Sequence, residues 1–174
     1  MAITTADPVN RPPSVRQSVV AALLMVTAGA CGPFCGNGKL NLSTAQINPT
    51  SYTCAAGANN FSYPITGTLV ADNQSSKKIS IKSMSDQAEV TKLSGGKWSI
   101  SVGDKSGTDS IEFSPTSVNA NTKTTVKFTL PWECTNPGGD TPNTYADFKI
   151  VLTLKTDSGN YSINLPNHRM NMAA

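Results

Sequence analysis

The sequence predicts an all-β protein: an antiparallel, two-sheet sandwich of about seven to nine strands behind an N-terminal signal peptide. Three observations carry that expectation. From Leu40 onward, apolar residues recur with a period of two, as in strands that bury one face and wet the other. Clusters of Gly, Pro, Asn and Ser break the alternation at spacings of roughly 8 to 12 residues, as in sandwiches and barrels. No stretch after Ala30 shows the period of an amphipathic helix. Composition agrees. Charged residues make up 14 % of the 174, against about 25 % in an average soluble domain, and Ser, Thr, Asn and Gly fill the difference.

The first element is the apolar run Val19 to Val26, continued through small residues to Ala30. It is about a dozen residues long, whereas a membrane-spanning helix needs roughly 20. A dozen fits the h-region of an export signal. Arg11 and Arg16 precede it, and Ala28-Gly29-Ala30 forms an A-x-A cleavage site. Residues 1 to 30 therefore read as a signal peptide. Its n-region is unusual in holding Asp7, Pro8, Pro12 and Pro13; a downstream start, for example at Val9, would account for that. Cys31 follows the small residues directly.

This order of apolar run, small residues and cysteine resembles the signal of bacterial lipoproteins. The resemblance covers about residues 11 to 31. It implies acylation of the Cys31 thiol with diacylglycerol, cleavage just before it, and anchoring to a membrane of the cell envelope, periplasmic or at the cell surface. Ala28 stands where the family prefers Leu, so plain secretion after Ala30 is the alternative. Residues 31–38, CGPFCGNG, hold Gly and Pro without periodicity and read as a flexible tether.

Nine strand candidates follow, at 40–47, 61–70, 78–84, 88–93, 97–102, 109–114, 123–132, 145–156 and 160–165. Trp98, Ile100 and Val102 alternate with serines. Phe148, Ile150, Leu152 and Leu154 form the longest apolar face. Gly95-Gly96 suggests a hairpin between the fourth and fifth candidates, and Asp157 to Asn160 suggests another before the last. The tail NHRMNMAA, residues 167–174, reads as disordered.

The four cysteines are Cys31, Cys35, Cys54 and Cys134. Export implies an oxidising compartment, and four cysteines allow three pairings. With Cys31 lipidated, the most economical pairing is Cys54 with Cys134, which leaves Cys35 free. Without lipid, Cys31 with Cys35 is open as well. In pattern and length, residues 39–166 resemble immunoglobulin-like or fibronectin-type-III-like β-sandwich domains. Antibody-type members place two cysteines within facing strands, with a Tyr two residues before the second. Here Cys54 and Cys134 sit at strand ends, and Trp132 holds the Tyr position. That departure points to a looser relative with a disulfide at the rim of the sandwich.

The charge pattern weighs against nucleic acid as a partner. The net charge of +3 comes from 14 basic and 11 acidic residues, with no basic run longer than Lys77-Lys78. Catalytic signals are weak. His168 is the lone histidine and lies in the polar tail, no G-x-S-x-G occurs, and Ser75-x-x-Lys78 lacks its partner motifs. Asp104, Asp109 and Glu112 read as a solvated loop without the spacing of a calcium hand. Cys31 and Cys35 lack the spacing and histidines of a zinc site. No catalytic residue, cofactor or metal is expected.

The expected binding surface is the loop ECTNPGGDTPNT after Trp132, with Trp132, Asn136, Asp140 and Tyr145 as candidate contacts. The expected function is that of a non-catalytic exported envelope lipoprotein, a binding or structural module. Its partners would be the membrane, through the anchor, and an envelope protein or glycan. The alternatives are a small secreted hydrolase or inhibitor, and a fibre subunit assembled by strand exchange.

Overall fold

The computed structural model describes residues 39–139 and 142–174. The segments read as signal peptide and tether, with Cys31 and Cys35, and the loop residue Asp140 lie outside the described residues. Eleven strands run through the described part and there is no helix in it. They are β1 (Leu40–Asn48), β2 (Ser51–Cys54), β3 (Ala58–Asn73), β4 (Ile79–Ser94), β5 (Lys105–Ser106), β6 (Glu112–Ser114), β7 (Ser117–Val118), β8 (Thr122–Asn136), β9 (Tyr145–Thr156), β10 (Gly159–Asn164) and β11 (His168–Met172).

The strands form two sheets. The first has the order β1-β3-β8-β6. The second has the order β2-β11-β9-β4-β5, with β10 added along β9 and β7 along β4. This is a two-sheet β-sandwich of immunoglobulin-like class. Every pairing is antiparallel except β11 with β2, which runs parallel. The inward rows are those that the period of two marks out. Ile65, Leu69, Val126 and Leu130 of the first sheet and Ile150, Leu152 and Leu154 of the second are fully buried.

Gly67 interrupts the inward row of β3 for a steric reason. A Cβ there would lie 2.3 Å from the Phe128 ring and 2.7 Å from the Gln46 carbonyl oxygen. The glycine lets the ring of the neighbouring strand cover the β3 backbone, in a row that runs Ile47–Gly67–Phe128 across three strands.

Two prolines explain how the free half of the first sheet is kept from pairing. β1 reaches β3 only as far as Thr66, and β6 reaches β8 only as far as Thr129. Beyond those points β3 and β8 form a two-stranded ribbon with two open edges. In that ribbon Pro64 stands directly opposite Pro131. Neither has an N–H, so the pair cannot exchange ladder bonds and occupies a non-hydrogen-bonded position. Both ring nitrogens therefore face the open edges and leave those edges short of a donor.

The structure corrects several sequence expectations. The candidates 78–84 and 88–93 are one strand, β4, kinked by register shifts between Ile81 and Ser83 and between Val90 and Lys92. The candidate 97–102 is not a strand. Gly95 and Gly96 do turn the chain, with φ of 63° and 59°. The returning segment rejoins β4 only later, through the Gly103 N–H to the Val90 carbonyl at 2.8 Å and the Val90 N–H to the Asp104 carbonyl at 3.0 Å. The alternating serines of 97–102 mimic a strand face, but Trp98 spends its indole N–H on the Ser94 carbonyl across the turn, at 3.3 Å. The segment predicted as a disordered tail contains β11, which completes the second sheet by inserting His168 and Met170 into the core.

Candidate functional site

The rim that carries the disulfide is built from segments remote in sequence. Cys54, at the end of β2, is bonded to Cys134 near the end of β8, at a sequence separation of 80. This is the pairing expected as the most economical of the three that four cysteines allow. Two residues on, the fully buried Asn136 donates its amide to the Cys54 carbonyl at 3.0 Å and to the Ala173 carbonyl at 2.9 Å. Its side-chain oxygen accepts from the Gly138 N–H at 2.9 Å. One amide thus ties β2, the C-terminal segment and the base of the 137–144 loop. Gly138 and Gly139 have φ of 87° and 78°, which the turn requires and a Cβ would strain.

Beside this clamp lies a cleft of about 720 Å³, lined by Trp98, Lys97, Pro137, Gly138, Thr144 and Met172 among others. Its walls are more apolar than polar. An indole, a lysine and backbone amides around one opening suit a ligand with both apolar faces and hydrogen-bonding groups.

Below the rim is an aromatic cluster around the lone histidine. His168 is fully buried. Its Nδ1 lies 3.2 Å from the Pro49 carbonyl oxygen, which can only accept, so Nδ1 carries the proton. Nε2 of the neutral ring then accepts from the Tyr63 hydroxyl at 3.1 Å. Burial holds the His168 pKa below its ordinary value against the opposing Pro49 bond. Burial pushes the Tyr63 phenol above its range, as does its neighbour Tyr52. Both shifts fit a neutral donor–acceptor pair. Tyr52 stacks on Tyr63 at 3.8 Å between centroids. Trp132 meets His168 at 4.8 Å and Phe148 at 5.0 Å, edge to face in each case. With Nδ1 and Nε2 both engaged inside the core, this histidine acts as a packing residue; the sequence had placed it in a polar tail.

The candidate contacts named from sequence therefore divide. Trp132 is half-buried and packs inward against the aromatic cluster. Asn136 is part of the clamp. Tyr145 lies on the second sheet, with the Arg169 guanidinium 4.0 Å and the Lys92 ammonium 5.3 Å from its ring centroid. Lys92 is the main cause that holds its phenol below the ordinary range. Arg169 in turn grips Asp147 through two bonds of 2.7 and 2.9 Å, which lowers the Asp147 pKa. Ser75, of the S-x-x-K match, is used in a turn: its hydroxyl donates to Asn73 Oδ1 at 2.7 Å and to the Lys77 carbonyl at 2.9 Å. Among the described residues no group of three or more His, Cys, Asp or Glu is placed to hold a metal ion.

No protein-family model matches the chain, and no curated protein matches it. Among solved structures it is similar to Spo0M, the sporulation control protein from Bacillus subtilis, at 14 % identity over 79 % of this chain, with a TM-score of 0.31. It spans 50 % of the length of that protein. It is also similar to an ASH / PapD-like domain, PapD-like domain 7, of human CEP192, at 10 % identity, 86 % of this chain and 96 % of that one, with a TM-score of 0.28. Neither likeness informs the role of this chain.

Two residues that sequence reasoning passed over matter to the surface. Trp98, read as the inward face of a strand, lines the rim cleft. Asp86, in the gap between the candidates 78–84 and 88–93, lines a second cleft together with Trp132. The signal for Asp86 was present: it stands in the inward row Met84–Asp86–Ala88–Val90, an acid on an otherwise apolar face.

Proposed function

We propose that this chain is an exported, lipid-anchored β-sandwich of the bacterial cell envelope that acts by binding and not by turnover. The observation that carries this reading is the clamp at the disulfide rim. Loops on a rigid scaffold are the usual seats of recognition. Here Cys134, Asn136 and Gly138 fix the base of the 137–144 loop beside the Trp98 cleft. A loop base held in this way has less freedom to lose when a ligand is bound. The disulfide also supports export, since such bonds persist in oxidising compartments. The ligand class that suits an indole-lined cleft with a polar rim is an envelope glycan or an extended peptide. The paired prolines at the open edges weigh against strand exchange.

Two measurements test this. The first is the intact mass of the protein recovered from the membrane fraction of a bacterial host. A form starting at Cys31 and carrying a diacylglyceryl group and an acyl chain is expected; a full-length cytosolic form starting at Met1 would overturn the export reading. The second is equilibrium binding of the full chain to panels of envelope glycans and peptides. Saturable binding weakened by Trp98→Ala is expected. Turnover of a panel substrate that one substitution abolishes would sink the non-catalytic reading.

A further inference from the structure

A second cleft, of about 420 Å³, shares no lining residue with the first and lies between the open edge of β8 and the turn after β5. Asp86, Ser106, Gly107 and Thr108 form one wall, Pro131, Trp132 and Glu133 the other, and Phe148 and Met170 lie between. We infer that this cleft is a binding site for an alkylammonium group, held by the Asp86 carboxylate against the Trp132 indole.

Four features carry the inference. Asp86 stands in the inward row of β4, between the buried Met84 and Ala88, and is itself half-buried. The Thr108 N–H donates to its Oδ1 at 3.0 Å, and the Asp86 N–H donates to the Thr108 carbonyl at 3.0 Å, which locks the carboxylate in place. No Lys, Arg or His lines the cleft, and the ion pairs of the described residues are Lys105–Glu89, Lys123–Asp72 and Arg169–Asp147, none of which includes Asp86. The carboxylate therefore faces the cleft with its charge uncompensated, beside an aromatic ring and two apolar side chains, the setting in which organic cations are favoured over sodium.

The local backbone is shaped to keep this arrangement. A Cβ at Gly107 would lie 2.2 Å from the Asp86 carbonyl oxygen, so only glycine lets the turn close on β4. On the opposite wall Pro131 withholds a ladder donor, which keeps a neighbouring strand from covering the cleft. Burial raises the Asp86 pKa. A cation in the cleft would reverse part of that cost. The same chemistry occurs in a lysine side chain and in a quaternary-amine headgroup, so the probe must separate them.

The chain has two tryptophans, and Trp98→Phe leaves Trp132 as the sole indole reporter. Full-length Trp98→Phe protein is titrated with n-butylammonium and, separately, tetramethylammonium chloride, with sodium chloride matching the ionic strength. A saturable change in Trp132 fluorescence is expected that sodium does not produce. Asp86→Asn, which retains the acceptor for Thr108, should weaken binding about tenfold; Glu133→Gln should weaken it about two- to threefold. Tighter binding of butylammonium assigns the site to a lysine-type ligand, and tighter binding of tetramethylammonium to a quaternary headgroup. No saturable change with either cation overturns the inference, as does equal binding by a folded Asp86→Asn variant. Trp98→Phe removes the rim indole, so success or failure at this cleft is independent of the rim.

Discussion

At one end of the β3–β8 ribbon the Asn73 amide donates to the carbonyls of Lys77, Val118 and Asn119, and at the other the Asn136 amide donates to those of Cys54 and Ala173. Both side chains are fully buried. Both accept a backbone N–H two residues ahead, from Ser75 and from Gly138. The difference lies in what each one closes. The partners of Asn73 are 4, 45 and 46 residues away, while those of Asn136 are 82 and 37 away and include the end of the chain. Closing longer loops costs more chain entropy. The Asn73 rim gathers turns around a single amide. The Asn136 rim fastens the end of β2 and the C-terminal segment, both of the second sheet, to β8 of the first, and there the disulfide is added. The covalent tie sits where hydrogen bonds would otherwise have to hold the most distant segments by themselves.

The largest effect should come from removing that tie. Cys54→Ser with Cys134→Ser is expected to cost roughly 4 kcal/mol by the chain-entropy account of an 80-residue separation. Urea unfolding with and without reductant measures it. The comparison also predicts where the loss is felt. Amide hydrogen exchange should accelerate in β2 and β11 more than in the turns around Asn73. Uniform acceleration along the chain would break the distinction between the rims.

Next in size are the two asparagines. Asn73→Ala and Asn136→Ala each strand buried backbone groups, at about 2 to 4 kcal/mol. Their single effects should be similar, so the informative measurement is a cycle with the disulfide. Asn136→Ala should couple to loss of the disulfide by about 0.5–3 kcal/mol, because both act on the Cys54 segment. Asn73→Ala, at the far rim, should be additive within about 0.5 kcal/mol. Equal coupling at both rims would mean that the sandwich opens as one unit.

These contrasts bear on what the sequence made legible. The inward rows were plain, because alternation such as Phe148–Ile150–Leu152–Leu154 has no other reading. The disulfide was legible as the most economical of the three pairings open to four cysteines, on the expectation of an oxidising compartment. The rims were harder. Asn136 has the composition of a loop contact, and nothing local shows that its amide is consumed by residues 37 and 82 positions away. Trp98 alternates with serines as a strand would, and only the positive φ at Gly95 and Gly96 sends the chain elsewhere. His168, Met170 and Met172 do alternate, but five residues at a polar chain end carry too little pattern to announce β11. What stayed hidden was long-range closure, which a local period cannot encode.

The smallest predicted effect concerns that last strand and separates the rims by pH. His168 bridges β11, the Tyr63 hydroxyl of β3 and the Pro49 carbonyl before β2, all on the disulfide side of the molecule. An amide such as Asn73 does not titrate, whereas this ring does. Its pKa in the fold lies below the ordinary value of 6.5, so the unfolded chain takes up a proton first. The stability that depends on the neutral ring is then fully present above about pH 6.5 and declines as pH falls from there toward the folded pKa, at most by about 1.4 kcal/mol per pH unit. Asp86 has the opposite sign: its pKa is raised in the fold, so acidification through that value restores stability, and the measurement belongs in an Asp86→Asn background. Urea unfolding at pH 7.5 and 5.5 should show the decline in that background and its loss on His168→Gln. A decline that survives in His168→Gln would trace the acid sensitivity to other groups. A decline carried by His168 would mean that acid loosens the disulfide rim, and with it the clamp beneath the proposed binding loop, while the Asn73 rim holds.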